Sequence, residues 1–273
     1  MSGKTKRLGR LFYPATKKMV LVPLDDALLA GPEGGLRDAQ EKVRQIVAGG
    51  ADAIMGFPGL FQHCNQQIQN ISGILNLTAS TTRGAHTHKV LISSVEEAVK
   101  LGMDGVGVHV NISSKYESEM LSHLGKISRE CERYGMPLMA LMYPRSEHDG
   151  VDENYESLLE SQPEKYAELV RHAVRVGVEL GADIIKTKFT GSTESFRTVI
   201  ESAMGVPVVI AGGMMMEPEK MLRCAFDAIQ AGASGISFGR NVFHRKDSAL
   251  YVKALKKIVH ENGTVEEAMN LLN

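Results

Sequence analysis

A lysine follows two isoleucines in the stretch ELGADIIKTKFTGS, residues 179–192. Lys186 therefore belongs to the rim of a short buried strand, not to a solvated helix face. A partly desolvated amine aimed at a carbonyl is what Schiff-base chemistry requires. Lys188 lies two residues on, and strand periodicity places it on the same face, about 6–7 Å away at the backbone. Two ammonium groups at that range repel by about 2–3 kcal/mol at an effective dielectric of about 20, or roughly two pKa units. That repulsion would favour a free amine at Lys186 near neutral pH. The alternative task for Lys188 is to grip a substrate anion.

Other polar groups fall where apolar runs end: Asp25, His109, Tyr143, the Gly212–Gly213 pair and Gly239–Arg240. Singly, each has a plain structural reading. Asp25 can cap a loop, Tyr143 can be a core aromatic, and His109 can face either a core or a cavity. Jointly they describe one rim bearing an acid, a phenol, a lysine and an anion grip. Two backbone-exposing glycines followed, one strand later, by Gly-Arg suit a phosphoryl group held by amides and a guanidinium. His86 and His88 have same-face strand spacing, but no third metal ligand stands at a suitable distance, so a solvated loop is expected there. The methionines of GGMMM (212–216) read as packing residues. The acidic stretch 147–164 is long enough either to cover a cavity or to run as a solvated excursion.

These residues need a frame, and the apolar pattern supplies one. Strand-like runs occur at 20–25, 53–58, 75–79, 105–110, 137–143, 184–189, 206–213 and 235–240. Helical patterns lie between them at 37–47, 115–134, 163–180, 193–204, 218–231 and 250–261. A repeated join, as in AGGAD, LGMD, LGAD and AGAS, ends a helix on glycine and starts a strand. Ser94 with Glu97 and Thr264 with Glu267 fit capping boxes, and Pro163 and Pro218 suit first helical turns. Eight near-continuously apolar strands alternating with helices predict a parallel sheet buried on both faces. The predicted fold is α/β, a single-domain (β/α)8 TIM barrel over residues 1–273, with a short N-terminal extension at about 1–18. An open doubly wound sheet is the competitor, but DDALLAG after the first strand is not a dinucleotide-binding turn.

Composition agrees with a soluble, compact protein and excludes several classes. The chain has 273 residues, 43% of them hydrophobic, and a net charge of −1, so no electrostatic field points to nucleic acid or an anionic membrane. The longest apolar run is too short to span a bilayer, and no signal core is evident. Cys64, Cys131 and Cys224 show no paired spacing, which suits a reducing compartment, and a cytoplasmic protein is expected.

The stretches VLVPLDDALLAGP (20–32), GVHVNI (107–112), GMPLMALMYPR (135–145), ELGADIIKT (179–187), VPVVIAGG (206–213), SFGRNVF (237–243) and KIVHEN (257–262) resemble the class I aldolases of the DeoC/FbaB type. That family includes the archaeal-type fructose-bisphosphate aldolase and 2-amino-3,7-dideoxy-D-threo-hept-6-ulosonate synthase, and the MYPR tract is most similar to the latter branch. The resemblance implies that Lys186 is the Schiff-base lysine, Tyr143 the proton-transfer tyrosine and Asp25 the strand-one carboxylate. It assigns Gly212, Gly213, Gly239 and Arg240 to the phosphate site. It also implies a (β/α)8 barrel, no metal or cofactor (the iminium is the electron sink) and a homo-oligomer such as a decamer.

Three departures bear on substrate. The family's Asp-His-Gly is Asp25-Asp26-Ala27 here, Met214–Met216 replace the usual proline and polar residues, and Lys188 occupies a position usually not lysine. Asp26 would oppose an adjacent anion but suit an amino group. The implied reactions are heptulosonate-type synthesis or condensation of dihydroxyacetone phosphate with aspartate semialdehyde, and alternatively fructose-bisphosphate cleavage. Acyl transfer from a sugar phosphate to coenzyme A, or sugar-phosphate sensing without catalysis, are competing expectations.

Overall fold

The structure is a computed structural model that describes residues 2–32, 34–148 and 151–272. Its frame is a closed barrel of eight parallel strands in sequence order: β1 (Met19–Pro23), β2 (Ala53–Gly56), β3 (Ser72–Asn76), β4 (Gly105–Ile112), β5 (Leu138–Pro144), β6 (Ile184–Lys188), β7 (Val208–Ala211) and β8 (Gly235–Ser237). The expected fold class is therefore the observed one. The six expected helices end within two residues of their predicted limits. No helix among the described residues is long and apolar enough to cross a membrane.

Alternation along each strand separates two cores. Val20, Val22, Val106, Val108, Ile185 and Ile210 point outward into the shell of helices. Leu21, Met55, Ile74, Met139, Leu141, Ile184 and Val209 fill the barrel interior. The N-terminal helix Gly3–Leu11 supports this interior from below. Leu11, fully buried, and Phe12 pack against the inner cluster. Burial of a side chain like Leu11 contributes about 2 kcal/mol.

One strand is displaced from its predicted position. β3 begins at Ser72, where it pairs with Ala53 of β2, three residues before the predicted 75; Ser72 and Gly73 are not apolar and so extend the strand without extending the apolar pattern. A Cβ at Gly73 would meet Met103 Sδ at 2.7 Å, so a larger residue there requires the Met103 side chain to shift. The predicted run through 79 is in fact two elements. Thr78–Ala79 leaves the barrel and pairs antiparallel with Val90–Leu91. A second ribbon, Ser146–His148 with Val151–Glu153, rises after β5 within the acidic excursion. The capping box at Thr264 is complete. At Ser94 only half of one forms, since Ser94 accepts from the Glu97 amide while the Glu97 carboxylate takes the Ser93 hydroxyl.

Candidate active site

The same alternation carries functional side chains to the C-terminal mouth. On β6, Ile184 faces the interior, so Lys186 and Lys188 do as well, while Thr187 turns outward and donates to the Met142 carbonyl at 2.8 Å. Lys186 lies in the middle of β6, one layer deeper than the rim predicted for it, and is 6% exposed. On β5 the sequence Met139, Leu141, Tyr143 climbs one inner face. On β4 that face carries His109 and Asn111. Asp25 follows two residues after β1 and opens the short helix Asp26–Ala30.

These groups line one cavity of about 410 Å³. It gathers Asp25, Asp26, His109, Tyr143, Lys186, Lys188, Gly212, Gly213, Gly239 and Arg240, which is every candidate residue singled out in the sequence. Burial lowers the Lys186 pKa from its usual value, partly countered by the carboxylates of Asp25 and Asp26. The expected tuning by Lys188 is present but ranks behind burial and both carboxylates. The Lys188 ammonium instead lies 2.6 Å from the Glu156 carboxylate. Burial raises the Tyr143 phenol above its ordinary range, and neighbouring Asp25 adds to the shift, so the hydroxyl keeps its proton at neutral pH.

Asp25 and His109 are held by partners that sequence reasoning missed. Asn76 Nδ2, at the end of β3, donates to Asp25 Oδ2 at 3.0 Å. Asn111 Nδ2 donates to the Thr87 carbonyl at 2.7 Å, which leaves its Oδ1 to accept from His109 Nε2 at 2.9 Å. That pairing places a proton on His109 Nε2. Burial first, then Lys89, pushes its pKa well below the usual value. Its ring meets Tyr143 edge-on, with centroids 4.9 Å apart.

The wall made by β7 and β8 carries the residues expected to grip an anion. Gly213 adopts φ +64°, a conformation few side chains tolerate, and a Cβ there would approach Lys188 Nζ at 3.3 Å. The amides of Gly213 and Gly239 donate to no backbone carbonyl among the described residues. Asn241, fully buried, fixes the loop after β7. Its Nδ2 donates to the carbonyls of Gly212 (3.1 Å) and Met214 (2.9 Å), and its Oδ1 accepts from the Met216 amide (2.8 Å). Arg240 Nε is 3.6 Å from Asp26 Oδ2, and Arg240 Nη1 is 3.0 Å from Met214 Sδ. Asp26 therefore belongs to the β7–β8 side of the cavity, and burial raises its pKa despite Arg240. Met214, expected to pack, is 68% exposed at the cavity edge.

The loops between strands depart most from expectation. His86 lines the cavity, whereas His88 stacks on Tyr116 at 4.1 Å and lies 2.8 Å from Glu119, so the two histidines do not converge. Their loop is not simply solvated: Thr87 and Lys89 are each 2% exposed. Among the described residues no group of three His, Cys, Asp or Glu is placed to hold a metal. Lys89, Arg145 and Glu156 also line the cavity. None carried a signal at a strand end except Arg145, two residues beyond Tyr143. The acidic excursion returns over the mouth through Asn154 and Glu156.

Comparison with known proteins agrees with this geometry. The family model for DeoC/LacD family aldolases matches residues 19–245. The chain is 35% identical over 269 residues to 2-amino-3,7-dideoxy-D-threo-hept-6-ulosonate synthase of Halobacterium salinarum, covering 98% of this chain and 96% of that one. It is 33% identical over 264 residues to 2-amino-4,5-dihydroxy-6-oxo-7-(phosphonooxy)heptanoate synthase of Streptomyces griseus, covering 96% and 92% respectively. A solved Schiff-base-forming fructose-1,6-bisphosphate aldolase superposes with a TM-score of 0.82 at 29% identity, covering 94% of this chain and all of the other.

Proposed function

This chain belongs to the DeoC/LacD family of aldolases, and from that premise we propose that it joins a phosphorylated three-carbon ketone to a four-carbon amino-acid aldehyde through an imine on Lys186. The single observation that carries the reading is the buried amine of Lys186 in one cavity with Tyr143, Asp25 and the β7–β8 glycine and arginine set. Class I aldolase chemistry needs that combination: a nucleophile with little solvation, a proton donor, a counter-charge and a handle on the substrate.

The names of the relatives sharpen the substrate class. A 2-amino-4,5-dihydroxy-6-oxo-7-(phosphonooxy)heptanoate has its ketone at C6, so its aldol bond is C4–C5. Cutting there leaves dihydroxyacetone phosphate and aspartate semialdehyde. The other relative's product also carries the 2-amino group and the C6 ketone, but is deoxygenated at C7. The two relatives share the acceptor half and differ in the donor half. Arg240, Lys188 and the Gly213 and Gly239 amides on one wall favour a phosphorylated donor here.

In this reaction the Lys186 amine adds to the donor ketone, giving a carbinolamine. Loss of water, with the departing hydroxyl taking a proton from Tyr143, leaves an iminium whose positive charge lies beside Asp25. The iminium acidifies the adjacent carbon, which gives its proton to the Tyr143 phenolate left by the dehydration, forming the enamine and restoring the phenol. The enamine carbon then attacks the aldehyde carbon, and the aldehyde oxygen takes a proton as the C–C bond forms. Water adds to the new iminium and gives its proton to the Tyr143 phenolate, and loss of the Lys186 amine releases the ketone product, so the water lost in the first half and the phenol are both restored. Tyr143, protonated by its burial, suits both donor steps, and Asp25 holds the counter-charge throughout.

The test is intact-protein mass after borohydride reduction with dihydroxyacetone phosphate, with fructose 1,6-bisphosphate, or with neither. A ligand-sized gain that Lys186→Ala abolishes upholds the imine, and the variant loses about 10⁴-fold or more in turnover. A wild-type protein that gains no mass with either ketone sinks the reading. Fructose 1,6-bisphosphate reacting better than the three-carbon donor with aspartate semialdehyde would move the function to sugar-bisphosphate cleavage.

A further inference from the structure

The ribbon that follows β3 takes no part in closing the barrel, yet it brings a lysine to the cavity. Thr78 pairs with Leu91 and Ala79 with Val90. The turn between them is fixed by Ser80 Oγ donating to the His86 carbonyl at 2.8 Å. Lys89, at the foot of the returning strand, is 2% exposed, lines the cavity, and donates to Ser80 Oγ at 2.5 Å. A solvated surface lysine would show neither this burial nor this aim.

Position decides what the ammonium faces. In a closed eight-strand barrel in sequence order, β3 and β4 stand across the axis from β7 and β8. Lys89 and His109 thus occupy the wall opposite Gly213, Gly239 and Arg240. Lys89 and Arg145 are both close enough to His109 to favour its neutral form. The one acidic departure from the family motif, Asp26, sits at Arg240 on the far side.

We propose that Lys89 is the specificity-determining cation of a second anion subsite, which takes the carboxylate of the aldehyde acceptor while the donor phosphate occupies the β7–β8 wall. The inference rests on the synthase reading above and assigns its acceptor half to named residues. An acceptor bound this way presents its aldehyde toward Lys186 at the centre and its carboxylate to Lys89 at the edge. Asp26 is then free of the acceptor's amino group and acts only through Arg240.

The experiment compares succinate semialdehyde, which carries the carboxylate, with butanal, which does not, as acceptors for dihydroxyacetone phosphate. Wild type, Lys89→Met and Lys89→Arg are assayed, with borohydride trapping of the donor imine in each as a measure of an intact site. Lys89→Met is expected to lower kcat/KM for succinate semialdehyde by about tenfold or more and to leave butanal nearly unchanged. Lys89→Arg retains most of the preference, and donor trapping is equal in all three. Equal losses with the two aldehydes, or no loss, overturn the subsite. If wild type traps no donor, the synthase reading fails instead, and calorimetric binding of succinate semialdehyde alone decides the subsite. About tenfold weaker binding to Lys89→Met upholds it, and equal binding overturns it.

Discussion

The two ends of the barrel bury ionisable side chains to opposite effect. At the N-terminal end each acid closes on fixed partners. Asp52 Oδ2 accepts from the Val20 amide at 2.7 Å and lies 2.8 Å from His260 Nε2, whose ring bonds Thr16 through Nδ1. Asp183 Oδ2 accepts from the Leu138 amide at 2.9 Å and pairs with Lys4 at 3.0 Å. Arg10 Nε reaches Asp104 at 2.6 Å. These aspartates are the last residues of the repeated Gly-Ala-Asp and Gly-Met-Asp joins. Two of them tie the start of one strand to its neighbour. At the C-terminal mouth, Asp25, Tyr143 and Lys186 face a cavity. The residue types are similar, and the difference lies in what they point at. Charges closed on backbone and counter-ion build scaffold, and charges turned to a space are available for chemistry.

Mutations should split along that line. Tyr143→Phe is expected to lower kcat by about 10²–10⁴-fold with little change in melting temperature, because the phenol is the proposed proton donor at the mouth. A stability loss with activity retained would move Tyr143 to the scaffold class. Asp52→Ala should do the reverse. It leaves His260 and the Val20 amide without their acceptor and costs about 3 kcal/mol of stability, as breaking a buried pair usually does. Activity per folded molecule, measured well below the melting temperature, should match wild type.

Lys186 gives the sharpest form of the comparison, because a group kept for chemistry weakens the fold. Its folded pKa is lowered by burial, so below the unfolded value of 10.5 the unfolded chain binds more protons than the native one. Stability is therefore reduced as pH falls from that value toward the folded pKa. Lys186→Met should abolish turnover yet raise stability at neutral pH by about 1–2 kcal/mol, with the gain shrinking as pH approaches 10. Denaturant titrations of both proteins at pH 7 and pH 9.5 measure it, and a variant less stable than wild type at pH 7 would contradict it. The smallest effect is expected at Glu156. Its pair with Lys188 is partly exposed, and Glu156→Gln should lower the KM for a phosphorylated donor by about two- to fivefold by freeing the ammonium. An unchanged KM would show that Glu156 and the phosphate do not compete.

Much of the site was legible before any coordinates, for a physical reason. A strand presents alternate residues to one side, so a polar residue closing an apolar run, such as Tyr143 or Lys186, must emerge near the barrel mouth. Gly212–Gly213 and Gly239–Arg240 follow the last two strands for the same reason. Local pattern failed where the chain leaves the barrel and comes back. Lys89 looked like part of a solvated loop because nothing nearby in sequence reveals that Thr78–Ala79 pairs with Val90–Leu91. Asn76 and Glu156 were missed likewise, one hidden by a misplaced strand and the other by an excursion whose return over Lys188 is a tertiary event. The joins were read as helix stops through their glycines, such as Gly181 with φ +87°, while the aspartates behind them went unread.

The sequence by itself determined the alternation of strand and helix, the barrel that follows from it, and the set of reactive side chains at the strand ends. Those properties depend on neighbours a few residues apart, where periodicity and turn chemistry act. The tertiary structure decided the depth of Lys186, the ranking of burial above Lys188 in setting its amine, the engagement of Asp26 with Arg240, and the placing of Lys89 across one cavity from Gly213, Gly239 and Arg240. Each of these depends on distance and solvent exclusion between groups far apart in the chain. Electrostatic energies follow those two quantities, and a linear pattern encodes neither.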